Sequence, residues 1–538
     1  MSQECMVRLN KKILVFGLLL GLTACNSGSK NKILNKGYLS VACSGPLCDA
    51  YEGEYGRGGT GVWKYVNSSS TSSVQVPISI SDTKDRTGTL IFLNHSEQEQ
   101  KMSAIELDPS QSLLAAESKP ARKKAPGCGT LERLASKTSR IDRQGKSFPL
   151  ARVKAKVKYS VGATRSWNWQ SDIDEVRQTT LIKQTVAFDG RTVNFWVEDS
   201  EYVTGKIDSA MMDYFVQSTV TSNESAYINV LYMIGQLWGE TPPGAGFISE
   251  DQDLDMVFLK FRRDGHPEIA DGMVVPWDFA LQSVDPFSNE ALSLYVNTET
   301  IYSSGGTFDE AVTQAASTIA HELTHVAHYY GRFASQTTDY FFEGWLEETS
   351  AMIFEDMMAA QSGSYIDGGV LSRVKSYMYF SAFNCDFRNA SYDAAEVCYL
   401  YDVGGSMAAF FVRHLGPFFN QYLSRNLVST DTMEVLKHSI KEFDKDGFDN
   451  FMQRYSTVSA AFPPGRTPAY YGYPGVNVFE FKLANYDGYI RGVRNLPTEV
   501  PETLAPYGSF PVIRPSLPEV YKETVIVPPN TTLSVVIY

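Results

Sequence analysis

The stretch His321-Glu322-Leu323-Thr324-His325 constrains this chain more than any other. In a helix, residues four apart lie on one face, so His321 and His325 can aim an imidazole nitrogen at the same point. Glu322 is rotated about 100° away, close enough to hold a water there without being a ligand. Upstream, Thr307-Phe308-Asp309-Glu310 has the pattern of a capping box. An apolar stripe follows (Ala311, Val312, Ala315, Ala316, Ile319, Ala320, Leu323), and Gly331 is placed to end the helix. The motif therefore falls late in a long, largely buried helix, where two histidines and a glutamate are costly without partners. Two histidines, a carboxylate and an open position describe a catalytic zinc site. One Zn2+ per chain is expected.

A second helix is predicted after Asp339, which can cap it, with Glu343 and Glu347 four apart on one face. One of them can reach the metal while the other stands behind it. Glu343 is assigned to the metal. Glu347 is assigned to the free N–H of a ligand histidine, His321, where it would fix the tautomer and raise the basicity of the ring. The reverse assignment of the two stays open. Glu348 lies off that face and is read as solvated or structural. His328 lies nearly above His321, and three roles are open to it: supporting the site, facing substrate, or a satisfied buried histidine.

HExxH followed by a glutamate in the setting Glu343-Gly344-x-x-Glu347 resembles the gluzincin metallopeptidases. Residues 175 to 460 resemble the hyicolysin-like family among them. Metzincins carry Gly where this chain has His328 and His where it has Gly331. Membrane-alanyl-type aminopeptidases share the Glu-Gly pair, but their Gly-x-Met-Glu-Asn motif is absent here, which points to an endopeptidase. The resemblance implies an α+β fold with a zincin-like catalytic domain: a small mixed sheet, an active-site helix, then an α-helical lobe. It also implies an edge strand beside the active-site helix, to which substrate adds as a further strand, and Ala291–Asn297 is placed there. Tyr401-Asp402-Val403-Gly404 is similar to a Tyr-x-x-Gly element whose tyrosine hydrogen-bonds the oxyanion in several gluzincins. Tyr401 takes that role, with Tyr399 and His414 as substitutes.

The flanks carry other signals. Arg8, Lys11 and Lys12 precede an apolar run from Ile13 to Leu22, too short to span a bilayer. Leu22-Thr23-Ala24-Cys25 resembles a bacterial lipobox, which implies a signal peptide over 1–24 and lipidation of Cys25. Asn26 is not the Asp associated with inner-membrane retention, so the outer membrane or cell surface is expected. Residues 25–36 read as a tether, 37–118 as a β-rich N-terminal domain, 119–150 as a basic linker and 151–462 as the catalytic domain. Residues 463–538 read as a β-rich C-terminal extension. Cys43 can bridge to Cys48, and Cys385 to Cys398, in an oxidising compartment; Cys128 is left over, so connectivity stays open. A net charge of −13 gives no reason to expect nucleic acid as a partner. Protein or peptide substrate, and a membrane reached through the N-terminal lipid, are the expected partners. A lipid-anchored zinc endopeptidase is the first functional reading. An aminopeptidase of the same clan and a non-catalytic surface-binding lipoprotein that keeps the fold are the others.

Overall fold

The computed structural model describes residues 35–109, 111, 158–170, 174–262, 271–303, 308–361, 369–461, 467–468, 470–478, 481–490 and 494–538. The lipobox with Cys25, Thr307 of the expected capping box, the basic stretch 119–150 and Cys128 lie outside them. The fold is α+β, as expected, with a mixed sheet, a helical lobe and further β-structure at both ends.

The mixed sheet has six strands in the spatial order Gly272–Val274, Leu292–Asn297, Leu254–Leu259, Thr192–Glu198, Asp174–Val186, Thr164–Gln170. Leu254–Leu259 runs parallel to both of its neighbours, and every other pairing is antiparallel. All six residues of Leu254–Leu259 and of Leu292–Asn297 are buried, the continuous pattern of strands covered on both faces. On one face Phe195, Met256, Phe258 and Leu294 join the main core with the helices. On the other, Trp167, Trp169, Trp196 and Tyr295 form a second, aromatic cluster.

This topology corrects one expectation. The strand Leu292–Asn297 is interior, and Gly272–Val274 is the edge, antiparallel to it. Three residues are too few to show a period-2 pattern, so the edge could not be read from alternation.

The HExxH helix spans Phe308–His328 and continues as a π-turn over Tyr329–Ala334, past Gly331. Tyr329, Phe333 and Ala334 are buried there, so packing of the apolar face outweighs the glycine. The next helix is Gly344–Gln361. Val370–Tyr379, Leu400–Leu415, Pro417–Arg425, Thr432–Phe443 and Phe448–Ala461 complete the helical lobe.

The two chain ends build one β-sandwich rather than separate extensions. Its five-stranded sheet has the order Ser40–Val41, Gly61–Asn67, Thr531–Ile537, Gly88–Asn94, Ser509–Arg514. Its four-stranded sheet has the order Val520–Val527, Val74–Ser81, Glu54–Tyr55, Ala50–Tyr51. The last strand thus lies between two N-terminal ones. Thr531–Ile537 and Gly88–Asn94 are buried along their whole lengths, which neither end could achieve alone. The sandwich seats on the lobe, where Gln453 of the last helix donates to Ser534 Oγ at 2.8 Å. Cys43 is bridged to Cys48, and Cys385 to Cys398. Among the described residues no helix is long and apolar enough to cross a membrane.

Candidate metal centre

The HExxH helix and Gly344–Gln361 pack together and bring their polar faces into contact. His321 and His325 stand one turn apart, with ring centroids 4.8 Å from each other. The carboxylate that meets them is Glu348: its Oε2 is 3.2 Å from His321 Nε2 and its Oε1 is 3.9 Å from His325 Nε2. Ligand atoms of these three residues lie within 4.8 Å of one another. Bonds of about 2.0–2.1 Å at a tetrahedral ion place ligand atoms about 3.3 Å apart, and the observed spacings bracket that value.

Glu343, the expected third ligand, is elsewhere. It is exposed, its Oε2 accepts from Trp345 Nε1 at 2.7 Å, and its N–H donates to Thr432 Oγ1 at 3.0 Å. The reason is the start of the helix. Asp339 accepts from Phe341 N–H, in a turn, and the helix begins at Gly344. The Glu343 carbonyl accepts the N–H of Leu346 and of Glu347, so Glu343 caps the helix from outside and does not share its face.

Glu347 does support a histidine, but a different one from that expected. His325 Nδ1 is 2.8 Å from Glu347 Oε1, and His328 Nδ1 is 3.0 Å from both Glu347 oxygens. An ionised carboxylate only accepts, so both Nδ1 atoms carry the proton, and Nε2 is the nitrogen with which His325 can offer a lone pair to an ion at the shared point. His328 Nε2 meets Ser424 Oγ at 2.8 Å, which makes His328 the satisfied support for Glu347. Behind His321 stands Glu355, which the sequence did not single out. Its Oε2 is 3.3 Å from His321 Nδ1 and accepts from Arg373 Nη1 at 2.8 Å.

Tyr401 is buried, with the Arg373 guanidinium 5.6 Å from its ring centroid. Tyr399 packs beside it at 5.5 Å. His414 is engaged far along the same helix, its Nε2 donating to Gly472 O at 2.8 Å, and burial pushes its pKa down to about 4.

Electrostatics favour a dication. Glu322, Glu347, Glu348 and Glu355 are each 5% exposed or less, as are Arg332 and Arg373. Four carboxylates against two guanidiniums leave two negative charges, and a buried excess of that kind needs a counter-charge. Without an ion the imidazoles supply it. Although burial opposes it, the carboxylates of Glu348 and Glu355 raise His321 to about 10, and Glu347 and Glu348 raise His325. Burial also works against ionised Glu347, yet His328 and His325 hold it down at about 2. Glu322 is pushed up to about 7 by burial, with the two histidines pulling the other way. The donor set fits zinc in another respect: His325 Nε2 and Glu348 Oε1 are buried and have no hydrogen-bond partner.

Residues 174–538, from the second strand of the mixed sheet to the last residue, match the family described as Peptidase M30. The chain belongs to that family. It is a metallopeptidase, and its substrates are accordingly proteins or peptides. Residues 41–107 match a second family, described as a domain of unknown function (DUF8571). No curated protein matches the chain.

In this M30 peptidase the edge strand touches the site directly. A Cβ on Gly272 would lie 2.6 Å from Thr318 Cγ2, 2.9 Å from Glu322 Cγ and 3.0 Å from Glu322 Oε1. Glycine is what allows the strand to approach the Glu322 side chain so closely. Gly272→Ala is expected to displace Glu322 and lower kcat by at least tenfold, with metal content unchanged. Steady-state kinetics beside metal analysis would check this; wild-type kcat would contradict it.

Proposed function

We propose that this chain is a zinc endopeptidase of the bacterial cell envelope, anchored through lipid on Cys25. The observation that carries the catalytic part is the meeting of His321 Nε2, His325 Nε2 and the Glu348 carboxylate beside Glu322. In this reading His321, His325 and Glu348 hold the zinc, which, when bound, polarises a carbonyl and lowers the pKa of water to about 7. Glu322 accepts the proton of the attacking water and delivers it to the leaving amine. Glu347 and Glu355 keep the two imidazoles oriented. An extended substrate adds antiparallel to Gly272–Val274, which brings its backbone past Glu322. The oxyanion role of Tyr401 rests on the Tyr-x-x-Gly resemblance, whereas the geometry links that residue to Arg373. The anchoring part rests on the lipobox pattern before Cys25, and the outer membrane or cell surface on Asn26.

The purified protein is expected to contain one zinc per chain and to cleave peptides blocked at both ends. A chelator should stop the reaction and added zinc restore it. Cleavage confined to free N-termini would favour the aminopeptidase reading. Zinc without turnover of casein or blocked peptides would favour the surface-binding lipoprotein, and chelator-resistant cleavage would overturn the metal reading. Cys25→Ser should release the protein from membranes; unchanged membrane association would remove the anchor.

A further inference from the structure

The two histidines that face Glu348 are backed by unlike supports. Behind His325 the sequence of contacts runs to Glu347, His328 and the Ser424 hydroxyl, and ends on a neutral group. Behind His321 it runs to Glu355 and then to the guanidinium of Arg373. Glu355 lies seven residues beyond Glu348 on one helix, so two turns of a single face supply both the carboxylate in front of His321 and the one behind it. Arg373 comes from another helix, Val370–Tyr379.

We infer that Arg373 is a positioning residue for the metal centre, acting through Glu355 on the orientation of His321. This rests on the zinc reading above. Glu355 Oε2 accepts from Arg373 Nη1 at 2.8 Å and lies 3.3 Å from His321 Nδ1, an ion-pair contact rather than an aligned hydrogen bond. Held between them, the carboxylate keeps the His321 ring turned with Nε2 toward Glu348. With the guanidinium removed, only the imidazole would retain it, and ring and carboxylate would shift together. The chain provides a fitted seat for Arg373. Gly405, on Leu400–Leu415, lies under its stem, where a Cβ would come within 2.8 Å of Arg373 Cβ and 2.9 Å of its Cδ. The neighbouring pair Asp356–Arg413 offers an internal comparison. It is as deeply buried and starts one residue further along the helix, but it joins Tyr486 and Ala484 rather than the histidines.

The test uses the full chain loaded with zinc, and separately with Co2+. Arg373→Gln and Gly405→Ala should release zinc to a chelating dye about 10–100-fold faster than wild type, the usual effect of losing a partner behind a ligand. Both should alter the visible spectrum of the cobalt form. Arg413→Gln should leave release rate and spectrum at wild-type values. Gly405→Ala decides the matter if Arg373→Gln does not fold. Wild-type release from the Arg373 and Gly405 variants, or equal acceleration by Arg413→Gln, would overturn the inference while leaving the zinc reading intact. A wild-type protein that binds no zinc would instead defeat the zinc reading and the inference with it.

Discussion

Glu348→Gln is expected to lose zinc and to hydrolyse peptides at no more than about a thousandth of the wild-type rate, while Glu343→Gln keeps both. The two residues differ in what they touch. Glu348 is the carboxylate facing both histidines, and it is fully buried. Glu343 is exposed and bonded to the Trp345 indole. A catalytic ion supplies several kcal/mol of charge stabilisation in the transition state, and each 1.36 kcal/mol is tenfold in rate. Removing the one anionic ligand should therefore cost about 10³-fold or more. Metal analysis and blocked-peptide kinetics on the two variants check this. A zinc-free Glu343→Gln beside a zinc-loaded Glu348→Gln would reverse the assignment.

The second large effect concerns Glu322. Glu322→Gln should bind zinc with wild-type stoichiometry and lose about 10²–10⁴ in kcat, the range of a positioned general base. Glutamine keeps the volume of a side chain that packs closely against Gly272, so packing is preserved. It cannot take a proton. Burial already pushes the Glu322 carboxyl up to about 7 in the metal-free protein, which suits a group that exchanges protons near neutrality. Turnover within tenfold of wild type in a zinc-loaded variant would remove Glu322 from this role.

How much of this was legible in the residues differs from element to element. The HExxH helix was, because its apolar stripe and its paired histidines agree on one face. So were the strands Thr192–Glu198 and Leu254–Leu259 and the hairpin turn at Asp189-Gly190, where pattern and turn chemistry coincide. The third carboxylate was not. Its identity depends on where the following helix begins, and a start at Gly344 instead of just after Asp339 moves the inward face from Glu343 to Glu348. One signal pointed that way. His328 follows His325 by three residues on the same face, so a carboxylate shared between them is needed, and Glu347 is thereby committed. Glu355 and Arg373 were invisible because their partners are remote in the chain. The shared sandwich was hidden for the same reason: the pairing of Thr531–Ile537 with Gly61–Asn67 spans most of the sequence, and no local period reports it.

The claim on which the rest depends is that one ion is held between two helices by His321, His325 and Glu348. Anomalous diffraction at the zinc edge from crystals of the zinc-loaded protein addresses it most directly. A single peak within bonding distance of His321 Nε2, His325 Nε2 and a Glu348 oxygen is the predicted result. A peak coordinated by Glu343, or none between the two helices, would contradict it.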